Sequence, residues 1–187
     1  MTVQLPQAHK AVLVATGWAS RKEDRDLVAG IWVRALPAKL HGTRVTVRLY
    51  PRTTFRGALS GAQMYRSVRP AREPNGQVLE VIGRLLKVDV ADNLLSLQLF
   101  PSQSGALPFR LLVRATTQVL RRVDPTWPAL RLTGSLISNL LVADHAEPAY
   151  APIPECWAEW VRGQPPKEQG TEVDRTADVP VISSPRD

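Results

Sequence analysis

Thr43 to Tyr50 is the segment that most narrows the fold. Val45, Val47 and Leu49 occupy one phase of a two-residue alternation, and Arg44, Thr46, Arg48 and Tyr50 occupy the other. Successive side chains of a strand point to opposite faces, so this pattern describes a half-buried strand with a hydrocarbon side and a cationic side. A helix would carry Arg44, Arg48, Arg52 and Arg56 at four-residue spacing, but it would have to accept the β-branched Val45, Thr46 and Val47 and then run into Pro51. The strand wins, and a strand needs partners.

The rest of the chain offers them. Ala11 to Thr16 is an apolar run ending at Gly17-Trp18, Ser20 to Asp26 reads as a charged turn, and Leu27 to Leu36 resumes with β-forming Ile31, Trp32 and Val33. Phe55 to Asn75 has little apolar periodicity and is punctuated by Gly57 and Gly61, which predicts a long basic loop with one helical turn at Ala62 to Val68. Gln77 to Val90 and Leu94 to Phe100 are strands joined by the turn formers Asp92 and Asn93. Pro101 to Leu107 is a second polar turn, Pro108 to Ala115 a further strand, Thr116 to Val123 a short helix, and Leu130 to Ala143 more apolar sequence. Val78 to Gly83 and Ala129 to Gly134 share an apolar run with a glycine after five residues, and Val12 to Gly17 repeats the phrase. A mid-strand glycine is common in curved sheets, so the echo has a local explanation beside the alternative of an internal duplication.

Charge then narrows the function. Between Leu27 and Arg72 there is no acidic residue, while Arg34, Lys39, Arg44, Arg48, Arg52, Arg56, Arg66, Arg69 and Arg72 lie among Trp32, Tyr50, Phe55 and Tyr65. A one-signed field studded with flat rings suits a flexible polyanion, whose phosphates take guanidinium and whose bases stack. Residues 1–163 carry 21 Lys and Arg against 12 Asp and Glu, and residues 164–187 carry 3 against 5. Arginine outnumbers lysine 19 to 5, which fits bidentate phosphate contacts as well as it fits a GC-rich coding bias. The candidate nucleic-acid-binding residues are Arg44, Arg48, Tyr50, Arg52, Phe55, Arg56, Tyr65, Arg66 and Arg69, with Trp18 and Trp32 as further stacking candidates.

Val45 to Tyr50, Val78 to Val90, Leu94 to Phe100 and Phe109 to Ala115, with the kinking glycines and the basic, aromatic face, together make a pattern that is similar to the OB-fold of single-strand-binding proteins. The resemblance implies a mainly β protein, an OB-like barrel or a curved antiparallel sheet with short helices, that binds single-stranded DNA or RNA. It covers less than half of the chain. The chain departs from the bacterial single-strand-binding family at its end, which reads Val179 to Asp187 without that family's acidic run and terminal aromatic. The rival expectation is a non-catalytic structural or adaptor subunit, with the arginine face on an acidic protein.

Residues 1–163 are expected to form one basic β-rich domain, or two small β units divided near residue 76, followed by a disordered polar tail at 164–187. The tail's Pro, Gln, Glu, Thr and Ser bury too little apolar area to offset the entropy of ordering. Pro154 to Arg162 reads as a short helix that docks Trp157 and Trp160 onto the body; that helix or the tail is also the candidate surface for a protein partner. Met1 to Lys10 lacks the order of a secretion signal, Cys156 stands alone, and no apolar run approaches the roughly 20 residues of a membrane span. A cytoplasmic protein is expected. Catalysis, cofactors and metals are not: His9, His41 and His145 show no ligand spacing, no phosphate-binding glycine loop occurs, and Asp144, His145 and Glu147 read as a surface loop.

Overall fold

The computed structural model describes residues 6–101 and 107–163. The tail 164–187 and most of the turn expected at Pro101 to Leu107 lie outside the described residues. The described chain is mainly β, with ten strands in one mixed sheet.

Strand β1 (Lys10–Lys22) buries Leu13, Ala15 and Ala19 on one side, and on the other exposes Trp18, Ser20 and Lys22 while Val12 and Thr16 stay buried. It reverses at Glu23 and Asp24, both with positive φ, into β2 (Arg25–Val28), which turns at Ala29-Gly30 into β3 (Ile31–Val33). The charged stretch from Ser20 to Asp26 is therefore mostly strand, and its turn is the two residues at its centre. A 3-10 turn (Ala38–Leu40) leads to β4 (Arg44–Tyr50), where Val45, Val47 and Leu49 are fully buried as the alternation requires. The expected long loop with a helical turn is not observed over 64–70, which form β5 (Met64–Pro70) against β4. β5 escapes periodicity analysis because it pairs with one strand only, and most of its residues are exposed whichever way they point.

β6 (Gly76–Asp89), β7 (Leu94–Leu99), β8 (Phe109–Ala115) and α1 (Thr117–Arg122) follow their patterns closely, and the last apolar stretch divides into β9 (Leu130–Ile137) and β10 (Leu140–Pro148), which runs on through the expected loop at Asp144 to Glu147. Thr116 caps α1, its hydroxyl accepting from the Val119 N–H at 3.3 Å. Pairings run β6-β7-β8-β10-β9 and return to β6, a partial ring whose β8-β10 side is parallel and only two residue pairs wide. That parallel seam corrects the expectation of a purely antiparallel sheet.

The first half repeats this order. β1 pairs with β2 and β4, β2 with β3, β4 with β5, and a parallel bridge joins Val33 to Gln63 just before β5. Gly17 is the last but one residue of β1 paired with β4 before β1 switches to β2; Gly83 is the last residue of β6 paired with β9 before β6 switches to β7. Both glycines sit where a side chain would meet a neighbouring element, Ala29 at 2.8 Å for Gly17 and the Gln98 carbonyl at 3.2 Å for Gly83. Two of the three echoed phrases thus occupy equivalent places. The third does not, since Gly134 lies in β9, opposite Leu79.

A strap of residues 51–63 ties the halves together. Where β8 and β10 diverge, Thr53 accepts from the Leu112 N–H at 3.0 Å, Ala58 bridges to Leu140, the Leu59 N–H donates to Asn139 at 2.9 Å, and Leu141 donates to Gly57 at 3.2 Å. The strap's ends are gathered by Gln63, 1% exposed, whose amide accepts from Arg52 N–H at 2.9 Å and donates to the Ser60 and Gly61 carbonyls at 3.0 and 3.1 Å. One hydrophobic cluster runs through both halves, from Leu13 and Leu49 to Leu79, Leu97, Leu111 and Leu141. The 3-10 turn Glu155–Trp157 and α2 (Ala158–Arg162) dock on the second half: the Trp157 indole N–H donates to the Pro101 carbonyl at 2.9 Å and Trp160 stands edge-on to Phe100. Outside, Lys10 and Arg131 hold Glu80 at 2.7 and 3.1 Å and Arg131 reaches Glu147 at 3.1 Å, joining β1, β6, β9 and β10.

Two stability predictions follow from these contacts. Gln63→Ala leaves the Arg52 N–H and the carbonyls of Ser60 and Gly61 without their partner and should lower unfolding free energy by about 1–3 kcal/mol in denaturant titration, with an unchanged m-value. Burial alone would raise the Glu80 pKa, but Lys10 and Arg131 more than offset this and hold it below its ordinary 4.5. A depressed carboxylate contributes stability above its unfolded pKa and loses it as pH falls through the lower folded value. Thermal melts should therefore drop on acidification below 4.5, and Glu80→Gln should drop less over the same range.

Candidate functional site

Arg44, Arg48 and Tyr50 lie on the outward face of β4, as the alternation places them. Thr46 shares that phase yet is buried, because the Thr16 hydroxyl stands 3.0 Å away and the Glu73 carboxylate accepts from it at 3.0 Å. Glu73 is the first acid after the acid-free run, and it folds back over the face. Its carboxylate pairs with Arg69 at 2.5 Å and its carbonyl accepts from Arg44 at 2.9 Å. A hydrogen bond from its own backbone, then the Thr46 hydroxyl and the Arg69 charge, hold its carboxyl below the usual range. Arg44 also donates to Asn75 at 3.2 Å. Arg48 has no hydrogen bond or ion pair among the described residues, and Arg66 is exposed at the bulge opposite Arg48 and Leu49.

The other expected residues do not join this face. Arg52 leaves with the strap, its guanidinium 3.6 Å from the centre of the Phe109 ring, where burial lowers its pKa. Phe55, 76% exposed, and Arg56, 5.1 Å from that ring, also ride the strap. Tyr65 packs against the core and its hydroxyl donates to the Ala35 carbonyl at 3.2 Å. Four of the nine residues therefore share one sheet face, Arg44, Arg48, Tyr50 and Arg69, with Arg66 beside them. Position along the chain could show the cations but not where the strap would carry them.

A second group completes the face. Trp18, 58% exposed, is the cross-strand neighbour of Arg44. Two residues on, Ser20 pairs with Leu27 and Leu27 with Trp32, 37% exposed, which places both indoles on the outward side of β1-β2-β3. Lys22 pairs with Arg25, whose guanidinium lies 4.7 Å from the centre of the Trp32 ring. Lys22 and Arg25 were hidden from sequence reasoning inside the supposed charged turn. The signal that finds them is phase: Trp18, Ser20 and Lys22 alternate on the side of β1 opposite Leu13, Ala15 and Ala19. Trp18 thus faces water beside Arg44, and Trp32 carries Arg25 over its ring.

Among the described residues the second half presents no such pair of exposed indoles. All six residues of β7 are buried, the strap lies against Leu94 and Leu112 at Gly57, and the Phe109 ring of β8 is covered by Arg52. No group of three or more His, Cys, Asp or Glu side chains able to hold a metal ion occurs among the described residues. Asp144 and His145 belong to β10 at a bulge, not to a loop, and the His145 imidazole stands 4.0 Å from a Glu147 that Arg131 already holds. Cys156 is exposed. No helix of the described residues is long and apolar enough to cross a membrane.

Compared with known protein families, with curated proteins and with solved structures, the chain finds no match in any of the three.

Proposed function

We propose that this protein binds single-stranded DNA or RNA on the outward face of its first half. The observation that carries the reading is the pair of exposed indoles, Trp18 and Trp32, set in one sheet face with Lys22, Arg25, Arg44 and Arg48. Indole faces stack bases without regard to sequence, and guanidinium groups beside them take the phosphates between. The strand order supports the same reading. Each half is read as an OB-like unit, a partly open five-stranded ring, and that fold uses its second and third strands to bind oligonucleotides. In the first half those strands are β2 and β3, which carry Arg25 and Trp32. The second half serves as its support, and the protein works without catalysis of its own.

Fluorescence anisotropy with a labelled oligonucleotide at two salt concentrations tests this. Binding should weaken with salt, and Trp18→Ala and Trp32→Ala should each cost about 1–3 kcal/mol, roughly five- to 150-fold. Arg48→Glu should weaken binding and flatten the salt slope by about 0.7 or more. Arg56→Glu, on the strap, should change affinity by less than about twofold. Glu73→Gln removes the carboxylate that occupies Arg69, while the backbone carbonyl that holds Arg44 stays, and should tighten binding by about two- to fivefold. No binding at low salt, or equal binding by the Trp18, Trp32 and Arg48 variants, would refute the proposal.

One observation favours a protein partner as the second reading. β5 has no strand partner on its outer edge and carries Arg66 and Arg69, which suits an extended acidic segment added as a further strand. Binding of acidic peptide but not of oligonucleotide in the same assay selects the adaptor.

A further inference from the structure

A groove of about 560 Å³ opens beside Trp18 where the two halves meet. One wall is Trp18 with the Ala29-Gly30 turn, the other is Ser135 and Leu136 of β9, and Asn75 and Gln77 line it from the segment that joins the halves. Its volume falls within the range of small-ligand sites. Its lining holds no charged side chain, so the groove is not built for phosphate. Positive charge stands at its border instead, in Arg44, which is hydrogen-bonded to Asn75.

Each amide is oriented by one hydrogen bond, that of Asn75 at the exposed surface. Asn75 Oδ1 accepts from Arg44 Nε at 3.2 Å, which leaves its Nδ2 donor without a partner among the described residues. Gln77 Nε2 donates to the Ala29 carbonyl at 3.2 Å, which leaves its Oε1 acceptor without one. A flat wall, one oriented donor and one oriented acceptor are the elements of base recognition: stacking supplies affinity, and the order of donor and acceptor distinguishes an amino-bearing edge from a keto-bearing one. We infer that this groove is a nucleobase pocket in which Asn75 and Gln77 read one base of a strand bound across the neighbouring face. The inference rests on the proposed single-strand binding and adds to it a base preference.

The test compares labelled oligo(dT) and oligo(dC) of about 12 nucleotides, a length within the span of such sites. They share ring size and differ in the edge that the amides would meet. The wild-type chain should distinguish them by about fivefold or more, as a well-placed hydrogen-bonding pair does. Asn75→Ala and Gln77→Ala should bring the ratio toward one while changing affinity for the weaker oligonucleotide by less than about twofold. Asn75→Asp keeps the oxygen that Arg44 bonds and deletes the donor, so its ratio should also fall even if the alanine variants fold poorly. Equal affinity of the wild-type chain for the two oligonucleotides, with salt-sensitive binding intact, overturns the pocket and leaves the face. An unchanged ratio in the variants does the same. No salt-sensitive binding to either oligonucleotide overturns both.

Discussion

Besides the antiparallel pairing of β1 with β6 from Lys10↔Ile82 to Thr16↔Gly76, the union of the two halves depends on how the open edges at the seam between β8 and β10 are satisfied. Two strands that part after Arg114↔Val142 and Ala115↔Ala143 leave backbone groups unpaired at the border of a core, and such groups must find partners. The first half provides them. Thr53, Gly57, Ala58 and Leu59 take the places a longer parallel pairing would have filled, and Gln63 holds both ends of the segment that reaches across. The halves therefore share one hydrophobic cluster, and a loop rich in arginine, which looks like a surface for ligands, is structural on its inner side.

What could be read from the chain was set by burial. β4, β6, β7, β8 and α1 are legible because each has one face in the core, so Val45-Val47-Leu49 or Leu95-Leu97-Leu99 betray their period. β5 is an edge strand with only Tyr65 and Val68 turned inward, and nothing in its pattern separates it from a loop. The β1-β2 hairpin overhangs into water, so Lys22, Glu23, Asp24 and Arg25 looked like a turn when only the middle two make one. The glycine echo was half informative: Gly17 and Gly83 mark the same strand switch, and Gly134 matches neither.

The site shows the same limit from the electrostatic side. An acid-free stretch of sequence is not an acid-free surface, because Glu73 lies just beyond the stretch and closes onto Arg44 and Arg69. Conversely, cations and rings separated in the chain become neighbours through cross-strand register, as Arg44 and Trp18 do, or Arg25 and Trp32. The alternation at β4 placed Arg44, Arg48 and Tyr50 on the outward side. Its aromatic complement came from strands whose pairing no linear pattern announces.

The shared strand order has a consequence for how this protein tolerates change. Matching frames usually offer matching opportunities, yet here one frame keeps its outer strands bare while the other has them roofed over by its sibling. A substitution in β7 or in the roof meets packed neighbours and should be felt as loss of stability, whereas one at Arg25 or Trp32 in β2 and β3 meets solvent. One strand order thus carries two unlike surfaces, one covered and one bare.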